Sequence, residues 1–242
     1  NGRAMEHQAA CIGLYSHQYY APAEALCRTV LEASINLYYS SLGDSCSILL
    51  SYFRSHIEME RRQNKSWLAS VNASKYPEPA KAYHRQRIKG KEEALNWYEG
   101  VLTEAFSQIG ISYASVEQEW PSVFDRFKAI NKEVSYRTVY AALCSQAHND
   151  AEDLLNEFVC GVSQVEGMHE MQACENRNFS LFMVLTSMAF LVEATVMYLA
   201  KFNLGANEPF QQLLTDIRRF TEQVTSRMES ISLSSKHAAG NA

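Results

Sequence analysis

The sequence predicts an all-α protein, a single helical bundle of six or seven helices, and three observations carry that prediction. Glycine and proline are scarce, 10 and 5 in 242 residues. A sandwich or barrel needs a turn roughly every 8–12 residues, and this chain cannot supply them. Apolar residues recur three and four apart over long windows, the spacing of one helix face. The hydrophobic share, 47%, and the charged share, 20%, suit a chain of this length that buries a substantial core.

Residues 6–20 read as a first helix. Pro22 fits the first turn of a second, to about Ser41, because the N–H it lacks has no helical partner there. That helix is apolar on most sides, through Leu26, Val30, Leu31, Ile35, Leu37 and Tyr38. Arg28, Glu32 and Asn36, four apart, form its one narrow polar stripe. Gly43 ends it and Asp44 can cap the next. Residues 45–73 make a third helix with Ile48, Leu49, Tyr52, Phe53, Ile57, Trp67 and Leu68 inward. Residues 74–79 turn, and a fourth helix covers 80–108. Residues 110–121 are a loop, 124–130 a short helix and 134–160 a longer one. The polar stretch 161–178 carries little helical signal. Residues 179–202 are a long apolar helix, and Asn207 caps a last amphipathic helix over 208–232. Residues 1–233 are expected to form one domain and 234–242 a disordered tail.

The net charge of −5 carries no global nucleic-acid signature. Its distribution is uneven. Residues 51–91 hold ten Lys/Arg against Glu58, Glu60 and Glu78, a local +7 that leaves −12 elsewhere. Arg61, Arg62, Lys65, Arg85, Arg87 and Lys89, interleaved with Trp67, Tyr76 and Tyr83, mark a candidate nucleic-acid surface, since aromatics among cations can stack single-stranded bases. A solvated helical hairpin is the competing outcome of the same composition. None of the six cysteines forms a C-x-x-C pair, which fits free thiols in a reducing cytoplasm. Asn1-Gly2-Arg3-Ala4-Met5 reads as a trimmed start, and no signal-peptide pattern opens the chain. The run 179–202 approaches spanning length. Glu193 within it favours a buried core helix, so no membrane association is expected.

The chemistry concentrates in residues 136–150, YRTVYAALCSQAHND. On a regular helix Arg137, Ala141, Cys144, Ser145 and His148 share one face. His148 is the candidate for proton transfer near neutral pH. Arg137 and Arg28 are candidates for stabilising phosphate charge, and Glu32, Asn36, Tyr136 and Ser145 for binding. Arg137 and His148 are eleven residues apart, roughly 16 Å along a helix axis. They cannot grip one phosphate oxygen together, so a catalytic site needs Arg28 or a second subunit. The competing reading is a buried ion-pair network that only fixes packing. Glu166-x-x-His169 has the spacing of di-iron bundles, but one copy is not a site. No zinc pattern, phosphate loop or G-x-S-x-G elbow occurs, and no metal or cofactor is expected.

The segment ALCRTVLEASINLYY, residues 25–39, resembles the R-[ST]-x-x-E helix of a group of uncharacterised bacterial all-helical proteins, a domain of unknown function. Tyr136-Arg137 with Ser145-x-x-His148 is similar to that group's YR…S…H helix, and the likeness spans roughly residues 20–200. The group is distantly similar to the HEPN superfamily. That resemblance implies a cytoplasmic helical protein binding a nucleotide, RNA or a protein partner, or a metal-independent ribonuclease of a toxin or phage-defence system working across a homodimer. The HEPN motif sets an Arg four to six residues before its His. Here no Arg or Lys stands at that distance before His148.

Overall fold

The computed structural model describes residues 2–148, 151–162, 167–205 and 208–239. Among them there is no strand. The helices are α1 (Gly2–Ser16), α2 (Tyr20–Ser40), α3 (Ser45–Ala73), α4 (Glu78–Ser107), α5 (Val123–Ala129), α6 (Glu133–Ser135), α7 (Ala141–His148), α8 (Ala151–Val162), α9 (Met168–Lys201) and α10 (Glu208–Ala239). A 3₁₀ turn occupies Tyr113–Ser115, and a π-helical turn, Tyr136–Tyr140, joins α6 to α7. The contacts divide the chain into two compact units, Asn1–Ser41 with Val123–Ala242, and Leu42–Ser122.

In the first unit α2 is the central element, packed against α1, α5, α7 and α9. Ala23, Cys27, Val30, Leu31 and Ile35 are fully buried on it, which explains the run of apolar residues on several of its sides. Fully burying a side chain such as Leu31 is worth roughly 1.5–3 kcal/mol. A buried polar knot ties α1 to α9. The Gln8 amide donates to the Val184 carbonyl at 3.2 Å, and the Ser187 hydroxyl donates to the Gln8 oxygen at 2.9 Å. α9 is long and apolar enough to cross a membrane by length and composition. Here Met183, Val184, Phe190, Leu191 and Ala194 are buried, and α9 packs on α1, α2 and α10.

α9 begins eleven residues earlier than the apolar pattern indicates. Residues 168–178 are polar but rich in helix formers, and Gly167 supplies the left-handed turn, φ +80°, before them. A helix with an exposed polar face leaves no apolar periodicity to read.

The second unit is a hairpin of α3 and α4. Asp44 caps α3 by accepting from the Ser47 hydroxyl at 2.6 Å, and Pro79 sits in the first turn of α4. The buried face of α3 matches the stripe expected from sequence only in part. Ile57 is buried as expected, but Leu49, Phe53 and Leu68 are exposed, and Leu50, Arg54 and Asn64 are buried. The reason lies across the seam. Asn64 donates to Glu92 at 2.6 Å, and Arg61 reaches Glu99 at 2.6 Å and Asn96 at 2.9 Å. α4 thus presents hydrogen-bonding partners, and polar residues on α3 turn towards them.

Candidate functional site

Arg28 and Glu32 stand one turn apart on α2, and Tyr140 closes the π-helical turn 108 residues later. The structure brings these three together. The Arg28 guanidinium lies 5.8 Å from the centroid of the Tyr140 ring. The Tyr140 hydroxyl donates to Glu32 Oε2 at 3.5 Å, a long contact. Arg28 and Glu32 are half-buried and Tyr140 is buried.

The electrostatics follow from that geometry. Burial pushes the Tyr140 phenol above its ordinary range, and the negative charge of Glu32 adds to the rise; a hydrogen bond from Arg28 opposes both. For Arg28, burial works against the charged form, but hydrogen bonding to Tyr140 and the negative field of Cys144 and Glu32 outweigh it, so its pKa lies above the usual value. Tyr140 therefore stays neutral and Arg28 charged at physiological pH. Glu32 and Tyr140 offer acceptors beside a fixed cation.

Regular spacing does put Arg137 and Ala141 on one face, but that face is the exposed one, and a π turn lies at its start. A π turn takes extra backbone into one revolution, so residues before it rotate relative to those after it. Tyr140 and Leu143 face inward and are buried, whereas Arg137 and Ala141 are exposed. Arg137, 66% exposed, pairs with Glu133 at 3.9 Å and lies over Phe124 at 5.2 Å. It is not brought into the cluster. Tyr136 is half-buried in an aromatic column, 5.1 Å from Phe124, 5.6 Å from Phe127 and 5.4 Å from Tyr140. Asn36 is half-buried one turn beyond Glu32. The side chains of Ser145 and His148 lie outside the described residues, and so does Glu166. His169 Nδ1 lies 3.2 Å from Cys160 Sγ. Among the described residues no group of three metal-binding side chains assembles.

The cations of the candidate nucleic-acid surface lie on the hairpin unit. Arg61 pairs with Glu58 at 3.2 Å and with Glu99, and Arg85 with Glu78 at 2.5 Å. Arg62 lies 3.8 Å from Glu119 and Lys89 3.8 Å from Glu93. Among the described residues Lys65 and Arg87 form no ion pair.

Sequence reasoning missed Tyr140 and Arg54. Tyr140 stands inside the segment singled out, four residues after Tyr136, but the register that turns it inward is a property of the π turn. Arg54 was counted among the basic residues, although it lies on the buried face of α3.

The model of a family of unknown function, DUF5677, matches residues 2–164. That span holds α1 to α8 and with them Arg28, Glu32 and Tyr140. The chain belongs to this family. No curated protein and no solved structure matches the chain.

Proposed function

We propose that this family member is a cytoplasmic, HEPN-like helical protein that binds a nucleotide or the nucleotide unit of an RNA at the Arg28–Glu32–Tyr140 cluster. One observation carries the reading. A π-helical turn, an energetically poor backbone form concentrated at functional sites, holds Tyr140 against a charged Arg and a carboxylate on α2. A purely structural ion pair needs no such device. The chemistry matches a nucleotide. A guanidinium fork grips phosphate oxygens in two places. A carboxylate one turn away accepts hydrogen bonds from ribose hydroxyls, the contact that separates RNA from DNA.

Calorimetric titration with AMP, GMP and a single-stranded oligouridylate tests this. Wild type is expected to bind one of them, and Arg28→Ala to bind at least about tenfold more weakly, about 1.4 kcal/mol, with its helical circular dichroism retained. If wild type binds none at millimolar concentration, or Arg28→Ala binds equally well, the reading is wrong.

A further inference from the structure

Glu193 is the sole charge between Phe179 and Ala200 in the sequence, and in the structure it is 19% exposed. Two cations share its Oε2. Lys132 Nζ lies 3.0 Å away and Arg218 Nη2 4.0 Å away. Lys132 is positioned by the end of α5. Its N–H donates to the Phe127 carbonyl at 2.9 Å, and that of Asn131, φ +57°, to the Lys128 carbonyl at 3.0 Å. This pair of bonds is the Schellman closure, which fixes the chain's exit direction. Lys132 Nζ also lies 5.1 Å from the centroid of the Phe190 ring.

These groups wall a concavity of about 440 Å³ between α9 and α10, open to solvent, with Glu222 among its lining residues. That volume is in the range of small-molecule sites, roughly 300–1,000 Å³. Thr221 and Thr225 line the same space, and their hydroxyls donate back to the Ile217 and Thr221 carbonyls at 2.9 and 3.0 Å. Having used their protons on the helix, they turn oxygen lone pairs outward. Glu222, exposed, adds a second carboxylate, and Phe190 adds an apolar wall. The concavity thus carries two cations and two carboxylates, with hydroxyl acceptors beside them.

We propose that this pocket binds a small zwitterion of the α-amino-acid class. Its carboxylate sits on Arg218 and Lys132, its ammonium faces Glu222 and the threonine oxygens, and its side chain lies along Phe190. The site is separate from the α2 cluster and does not depend on the reading given to it. A lone carboxylate ligand leaves Glu222 and the hydroxyl acceptors unused, and a lone amine leaves Lys132 and Arg218 unused.

Titration calorimetry with L-alanine, L-leucine, L-lysine and L-glutamate tests this on the full chain. At least one is expected to bind with a millimolar or lower Kd. For L-leucine the controls are 4-methylpentanoate, which lacks the ammonium, and isoamylamine, which lacks the carboxylate. Matched half-ligands of whichever amino acid binds are expected to bind at least about tenfold more weakly. Arg218→Ala and Glu222→Gln both change exposed side chains and keep the fold; each is expected to weaken binding about tenfold. Absence of binding by all four amino acids overturns the proposal. So do half-ligands that bind as well as the whole molecule, or variants that bind like wild type.

Discussion

Arg54 is one of ten cations in residues 51–91, yet it is 9% exposed and faces no carboxylate. Its Nη1 donates to the carbonyls of Tyr113, Ala114 and Val116 at 3.0, 3.2 and 2.7 Å, and the guanidinium lies 5.2 Å from the centroid of the Tyr113 ring. The charge is solvated by backbone oxygens in place of water. In return it fastens the 3₁₀ turn and the strandless loop 110–121 to α3. Hydrogen bonds from a charged group contribute about 1.5–3 kcal/mol each, and three sharing one nitrogen contribute less than their sum. Arg54→Ala is therefore expected to destabilise the protein by about 3 kcal/mol in urea unfolding and to speed proteolysis within residues 110–121. A loss below about 0.5 kcal/mol would mean that other contacts hold the loop, such as Tyr52 against Trp120 at 4.7 Å.

At the scale of elements, the π turn Tyr136–Tyr140 leads into α7 with Tyr140 against Arg28 and Glu32 of α2. The Thr138 hydroxyl bonds only back to the Val134 carbonyl at 3.0 Å among the described contacts, and Thr138 is exposed. Deleting Thr138 removes the extra residue and lets the ladder close as a regular α-helix. Residues 133–137 then rotate by roughly 100° relative to Tyr140, one residue's share of a 3.6-residue turn. Tyr136 loses its stack on Tyr140, and the approach of Tyr140 to Arg28 and Glu32 is disturbed. The expected result is a folded protein by circular dichroism in which nucleotide binding falls at least about tenfold. Unchanged affinity would show that the π register is irrelevant to the site. The same turn marks the limit of what the sequence discloses. The all-helical class and the helices α2 to α4, with the cap at Asp44, are legible because scarce glycine, apolar spacing and capping chemistry are local signals. The placement of Arg28 and Glu32 on one face of α2 is legible as well, since i and i+4 stack on any α-helix. The inward turn of Tyr140, the outward one of Arg137 and the early start of α9 are not. They depend on backbone register, or on an exposed polar face, and neither leaves a periodic trace.

For the whole molecule, the charge map changes between sequence and structure. Counted along the chain, residues 51–91 carry +7. Counted in space, α4 folds Glu92 and Glu99 back against α3, Glu93 pairs with Lys89 within α4, and Glu119 follows from the loop. Lys91 donates to Glu60 at 2.8 Å, and that hydrogen bond, before any other cause, holds the Glu60 carboxyl below its ordinary range. Arg61 sits between two carboxylates and an asparagine. Arg54 is buried. Apart from buried Arg54, Lys65, Lys75, Lys81 and Arg87 are the cations of the stretch that form no ion pair among the described residues, and Lys81 lies 3.4 Å from the Asn72 carbonyl. A nucleic-acid surface built from all ten cations would release counterions on single-stranded RNA with a log–log salt slope near −7, whereas four give roughly −3. Binding of a fluorescent oligouridylate, followed by anisotropy across a range of potassium chloride concentrations, is expected to show a slope no steeper than about −3. Exposed ion pairs are individually weak, below about 1 kcal/mol, so phosphates could displace some of them. A slope of about −6 or steeper would show that they do, and that the hairpin itself grips RNA. A shallow slope, with Arg28→Ala abolishing what binding there is, assigns the contact to the α2 cluster. There a single guanidinium, beside Tyr140 and Glu32, would meet a single phosphate.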